Sequence, residues 1–169
     1  VVGNSTAMNA MAGSATAMGI VVNNDAGMNA IVNSQTAMNS IVGNNTSISY
    51  VVGNTKAMGY IVKTTIAMNT CANNQAMITA IAGNDNAATI WLNSTAVNYI
   101  ESSTTCKNVF MSDTYITKTV SNNNGIKIIS TYADLTNMVC TSSTKFASLC
   151  NILNACKIFV ESQLARTSM

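Results

Sequence analysis

A ten-residue period constrains this chain more than any other feature. Apolar pairs at Ala7-Met8, Ala17-Met18, Gly27-Met28, Ala37-Met38, Ser47-Ile48, Ala57-Met58 and Ala67-Met68 recur in strict register. A second pair follows three and four residues after each Met slot: Met11-Ala12, Val21-Val22, Ile31-Val32, Ile41-Val42, Val51-Val52, Ile61-Val62 and Cys71-Ala72. The register slips by single residues at Ala76-Met77, Ala87-Ala88 and Ala96-Val97, with Trp91-Leu92 as the second pair of the middle one. It then continues with Cys106, Ile116, Ile126, Thr136, Phe146, Cys156 and Arg166 in the Met slot. A fixed short period means that each unit is too small for a core of its own and must stack on its neighbours. The whole chain therefore reads as seventeen decads, regular over 1–100 and degenerate and more charged over 101–169.

Helix fits each decad better than strand. The Met slot, the residue before it and the residues three and four after it form one stripe of a helix. A strand burying Met would also bury the residue two later, yet Ser40, Thr70, Thr79, Asn108, Lys118, Ser148 and Ser168 stand there. Ser, Thr, Asn or Asp two before the Met slot (Thr6, Thr16, Thr36, Asn86, Asp134) is expected to cap the helix start. Gly13, Asn23, Asn33, Gly43, Gly53, Asn73 and Gly83, five after the Met slot, are expected to take left-handed backbone at the helix end. The expected fold is an all-α repeat array of short two-turn helical units, elongated and oligomeric. The alternatives are a β-solenoid, suggested by abundant Val, Ile, Thr and Asn, and helical repeats with a β-hairpin at 114–130 around Asn122-Asn123-Asn124-Gly125. The expected spine is Met8, Met18, Met28, Ile31, Met38, Ile41, Met58, Ile61, Met68 and Trp91.

Composition narrows the function. Only 8% of the 169 residues are charged, eight basic against six acidic, and there is no His and no Pro. The outer surface must then be built of Asn, Thr and Ser, since typical domain surfaces carry about 25 to 35% charge. Lacking His, the chain lacks the usual proton shuttle and commonest metal ligand. Net charge +2 gives too weak a field for phosphate-dominated nucleic-acid binding. Mean hydropathy is +0.25, but apolar runs such as Ile20-Val21-Val22 fall far short of the roughly 20 residues that span a bilayer. No membrane or nucleic-acid partner is expected. Val1-Val2 sits in the register of a second apolar pair, so the sequence is expected to be an ordered piece of a longer polypeptide.

Chemistry-bearing motifs are sparse. Cys71, Cys106, Cys140, Cys150 and Cys156 form no CxxC pair. Cys71, Cys140 and Cys150 stand in apolar slots, where a thiol acts as a small buried hydrophobe. The odd count argues against a closed set of intrachain disulfides, and no cysteine is expected to be functional. Met at fixed helical spacing reads as core, not as a soft-metal site. Asn4, Asn44, Asn45 and Asn93 fall in or beside glycosylation-like triplets, which chance produces readily in so Asn- and Thr-rich a chain. No catalytic, cofactor-binding or metal residue is expected, no cofactor, and no enzymatic activity.

The repeat itself carries a resemblance. Ser5-Thr6-Ala7-Met8-Asn9-Ala10, Ala15-Thr16-Ala17-Met18-Gly19 and Gln35-Thr36-Ala37-Met38-Asn39-Ser40 resemble the decapeptide arrays of bacteriophage virion proteins of the tail-fibre and appendage type. The resemblance covers about residues 1–100 and implies a structural virion component with no catalytic residues. On that reading the chain is a spacer or attachment element, a homo-oligomer and expected trimer, located in the virion, with other virion proteins and a host surface receptor as partners. A self-assembling extracellular filament and a glycan- or ice-binding solenoid are the alternatives.

Overall fold

Most helices of the first unit start from a side chain four residues before the Met slot, whereas Thr64 and Tyr132 hold the same place before their helices without a side-chain bond. In the computed structural model, which describes residues 1–167, Asn4 accepts a hydrogen bond from the Ala7 N–H, Ser14 from Ala17, Asn24 from Gly27, Ser34 from Ala37 and Asn54 from Ala57. These capping residues hold extended backbone, φ −104°, ψ 110° at Asn4 and φ −98°, ψ 113° at Ser14. The cap thus lies two residues upstream of the expected place. Thr6, Thr16 and Thr36 can cap by type, but they fall inside the first turn, after the last non-helical residue that a cap must be.

The helix ends differ from expectation too. No described residue has positive φ. Gly13 is right-handed (φ −79°, ψ −11°) and is followed directly by the extended Ser14, so the two residues turn the chain without a left-handed step. Asn serves the same place through its side chain: Asn23 Nδ2 donates to the Gly19 carbonyl at 2.9 Å and Asn33 Nδ2 to that of Asn29 at 2.8 Å. Gly83 is the last residue of its helix, also without positive φ, and the extended Asn84 (φ −99°, ψ 122°) follows it directly.

The resulting helices are α1 (Ser5–Ala12), α2 (Ala15–Val21), α3 (Asp25–Val32), α4 (Gln35–Val42), α5 (Asn45–Val52), α6 (Thr55–Ile61), α7 (Thr65–Ala72), α8 (Gln75–Gly83) and α9 (Asp85–Leu92). A 3₁₀ turn at Thr95–Asn98 leads into α10 (Tyr99–Ser102). After it come α11 (Thr104–Phe110), α12 (Ile116–Ser121), α13 (Asn123–Thr131), α14 (Ala133–Cys140), α15 (Ser143–Cys150) and α16 (Leu153–Thr167). No strand occurs among the described residues, which corrects both the β-solenoid and the hairpin alternatives. At 114–130 the turn-prone Asn122 caps α13, accepting from the Asn124 and Gly125 N–H groups. Because α16 runs unbroken to Thr167, Arg166 does not head a separate decad; its side chain lies outside the described residues.

The helix-starting bond, from the slot N–H to the cap carbonyl, shows how the frame is kept. It joins Met8 to Asn4, Met38 to Ser34, Met68 to Thr64, Ile78 to Asn74 and Ala88 to Asn84, all in steps of ten. The slip read at Met77 is therefore not a slip, because Ile78 occupies the slot. The frame shifts later: Ser94 and Ser103 come next, then the Ser112 carbonyl that takes the Ile116 N–H, two steps of nine, although α12 itself starts behind Tyr115; Asn122, Tyr132, Ser142 and Ile152 then restore the ten.

The chain divides into two compact units, Val1–Ala96 and Val97–Met169. In the first, α4 packs on α1 and α7 on α4, α5 on α2 and α8 on α5, α6 on α3 and α9 on α6. Three helices, about thirty residues, thus make one turn that stacks on the next. In the second unit α15 packs on α12 and α16 on α13. Helices of eight residues are unstable alone, so these contacts between turns hold the fold.

Candidate functional site

Four slots per helix point inward, and they form two parallel rows. Counted from the cap, the residues three and seven later make one row and those four and eight later make the other, each pair one helical turn apart. The outermost helices show which way each row looks. In α1 to α3, Met8, Ala12, Met18, Val22, Met28 and Val32 are buried, whereas in the other row Ala7 is exposed, Met11, Ala17, Val21 and Gly27 are only partly covered and Ile31 alone is buried. In α4 both rows are buried, as Ala37, Met38, Ile41 and Val42. In α14 to α16 the pattern inverts: Leu135, Val139, Leu149, Ala155 and Phe159 are buried, while Cys140, Phe146, Cys150 and Val160 are exposed. The Met row therefore packs on the following turn and the other row on the preceding one. Met8, Met18, Met28, Ile31, Met38, Ile41, Met58, Ile61, Met68 and Trp91 are all buried, and all lie in these rows.

Polar residues in inward slots are satisfied by the bend beneath them. Ser47 Oγ donates to the Ile41 carbonyl at 2.7 Å, and Thr119 Oγ1 to that of Phe110 at 2.8 Å. Short hydroxyl side chains can therefore replace apolar ones without leaving a buried polar atom unpaired.

The outward side carries a second set of contacts, which the ten-residue pattern hides because its partners stand one turn of the stack apart. Asn54 Nδ2 donates to Asn23 Oδ1 at 3.0 Å, and Gln35 Nε2 to Thr70 Oγ1 at 2.9 Å. The densest cluster joins α3 and α6: Asp25 Oδ1 accepts from Lys56 Nζ and from the Tyr60 hydroxyl, both at 2.9 Å. Lys63 Nζ lies 5.9 Å from the centre of the Tyr60 ring. The Lys56 hydrogen bond, and after it that of Tyr60, holds the Asp25 carboxyl below its ordinary range. The bond to Asp25 in turn raises the Tyr60 phenol. In the second unit Lys107 Nζ meets Asp134 Oδ2 at 2.6 Å and Lys145 Nζ meets Asp113 Oδ1 at 3.4 Å. The one available sequence signal was opposite charge at roughly thirty-residue spacing.

With its acceptor already engaged by two donors, Asp25 is arranged as a clamp between turns. No group of three or more candidate metal ligands occurs among the described residues, and none of their helices is long and apolar enough to cross a membrane. Cys71 and Cys106 are buried, and burial pushes the Cys71 thiol far up. Cys140 and Cys150 are exposed, against the expectation that their apolar slots hide them, because their row is the one the last turn leaves uncovered. No protein-family model and no curated protein matches the chain.

Proposed function

We propose that the chain is a structural segment of a bacteriophage virion, a fibre or appendage piece that acts as a spacer or attachment element and has no turnover of its own. The observation that carries this reading is the stacking of helices three places apart, throughout α1 to α9 in the first unit and as α12 with α15 and α13 with α16 in the second. A turn so built offers the next turn the same pair of rows, so length grows by adding decads, which suits an elongated repeat array. The Thr-Ala-Met decads supply the resemblance to virion proteins. Because most of both rows is covered within one chain, homo-oligomerisation, expected as a trimer, uses the Asn-, Thr- and Ser-rich outer faces. These faces also serve other virion proteins and a host surface receptor. Few charges there mean little electrostatic resistance to permanent association.

Electron microscopy of the purified protein, paired with mass measurement in solution, tests the reading. Rod-shaped particles of trimeric mass, found in virions by an antibody raised to this chain, are the expected result. A compact monomer absent from virions would overturn it.

A further inference from the structure

Two of the cysteines expected to be inert, Cys150 and Cys156, stand at the junction of α15 and α16. Cys150 is the last residue of α15, and Cys156 lies one turn into α16, where its N–H bonds to the Ile152 carbonyl. The two helices pack on each other. Counted from their caps, Cys150 is eight residues on and Cys156 four, so both belong to the row that faces the following turn. The corresponding neighbours elsewhere are buried pairs such as Ala12 with Met18 and Val22 with Met28. Here the row is open: Cys150 is exposed and Cys156 half-exposed. Cys156 stands near enough to Cys150 to bear on its thiol. Cys140, in the same row, has Phe146 in the corresponding place.

We propose that Cys150 and Cys156 are a redox pair that closes into an intrachain disulfide with a low-molecular-weight disulfide such as oxidised glutathione, stapling α15 to α16. The chemistry balances without any group from the rest of the chain. One cysteine thiolate attacks a sulfur of the oxidant, breaking its S–S bond and releasing one glutathione thiolate. The second cysteine, once deprotonated, attacks the protein sulfur of that mixed disulfide, forming the Cys150–Cys156 bond and releasing the second glutathione. Two electrons pass to the oxidant, and the two thiol protons end on the two glutathiones. Partial desolvation and the neighbouring Cys156 raise the Cys150 thiol, so closure is faster in mildly alkaline solution. This assignment is independent of the virion reading.

The flanking lysines make the test direct. Trypsin cuts after Lys145 and Lys157, placing both cysteines in one peptide, 146–157; Cys140 falls in 128–145, and the buried Cys71 and Cys106 in 64–107. The folded, reduced chain is treated with oxidised glutathione, alkylated and digested without reductant. Peptide 146–157 is expected to lose the mass of two hydrogens and to take up no alkyl group, while 64–107 stays reduced. In Cys156→Ser, Cys150 should instead retain a glutathione adduct, and the rise of several degrees in melting temperature that oxidation gives the parent should vanish. Glutathione adducts on peptide 146–157 of the parent chain, or a cross-link from Cys140 to Cys150 or between two chains, would overturn the proposal; the peptide map needs no variant.

Discussion

Asn54 Nδ2 donates to Asn23 Oδ1 at 3.0 Å across 31 residues, and Asn154 Nδ2 donates to Asn123 Oδ1 at 2.8 Å across the same interval. The first pair joins α6 to the turn before α3, and the second joins α16 to α13. The two units thus close a turn in the same length of chain although they share little sequence. That length follows from the backbone: a helix of about eight residues, then a right-handed residue and an extended capping residue, repeated three times. Asn54 has two duties, since its Oδ1 also caps α6 through the Ala57 N–H.

The two rows predict a sharp contrast between neighbouring positions. Ile41→Asp places an unpaired charge in a fully buried slot and should cost more than about 4 kcal/mol. Met38→Ala should cost about 2–5 kcal/mol through the cavity it leaves. Asn39→Asp, on the outer side, keeps the oxygen that accepts from Gln35 Nε2 and should stay within about 0.5 kcal/mol. Urea unfolding followed by circular dichroism measures all three. Similar midpoints for Ile41→Asp and Asn39→Asp would refute the rows.

Two helical glycines should respond in opposite directions to alanine. A Cβ on Gly125 would stand 2.2 Å from the Thr119 carbonyl oxygen, so α13 must lift off the bend below it, and Gly125→Ala should destabilise by several kcal/mol, at the upper end of the roughly 1–3 expected for overpacking. Nothing lies within 4 Å of a Cβ at Gly59 inside α6. Gly59→Ala should stabilise by about 0.5–1 kcal/mol, since Gly is the poorer helix former. Thermal melts of the two variants check the pair.

The inward slots were legible because burial selects residue type directly, and the apolar pairs at Ala37-Met38 and Ile41-Val42 mark them residue for residue. Cap placement was not, since Thr36 and Ser34 both belong to capping types and only the start of helical backbone between them decides. The frame was misread at Met77 for a related reason: Met and Ile fill the slot equally well, so Ile78 holds it without a Met. Asn122-Asn123-Asn124-Gly125 suits a hairpin turn and a helix cap alike, and the choice falls to the close approach of Gly125 to Thr119. The clamp of Asp25, Lys56 and Tyr60 was hidden because its partners are neighbours only after three decads close a turn.

That clamp gives stability two pH limbs. The carboxyls of Asp25 and Asp134 are lowered in the fold, chiefly by hydrogen bonds from Lys56 and Lys107. Their contribution is thus present above the unfolded carboxylate value of about 3.9 and is lost as pH falls through the folded values. The Tyr60 phenol is raised by Asp25, so its contribution holds below the unfolded value of about 10 and is lost as pH rises through the folded one. Asp25→Asn should flatten the alkaline limb and leave on the acid side the part due to Asp134. Because Asp25 and Lys56 are exposed, the effect at neutral pH should be small and shrink with added salt. Melting temperature against pH, for both proteins at two salt concentrations, is the measurement.

Deletions distinguish the three periods in this fold: the helical turn, the decad and the three-decad turn. Removing 35–64 takes out α4 to α6, leaves Ser34 as the cap and brings α7 onto α1, with Ala67 and Cys71 facing the row of Met8 and Ala12. Asn84 then inherits the place of Asn54 over Asn23. This variant should fold, and its first unit should shorten by one helix-to-helix spacing, about 10 Å. Removing the single decad 35–44 keeps every cap and both rows but sets Lys56 and Asn54 ten residues out of place with Asp25 and Asn23, so folding should survive with a lower melting temperature. Removing 35–39 leaves half a helix behind Ser34 and a cap at Asn44 that no longer falls in step, so the rows of α1 lose the helix that covers them. Circular dichroism and small-angle scattering on the three variants should rank them in that order. Normal folding of the five-residue deletion, or loss of folding in the thirty-residue one, would show that stacking of helix upon third helix is not what holds the chain together.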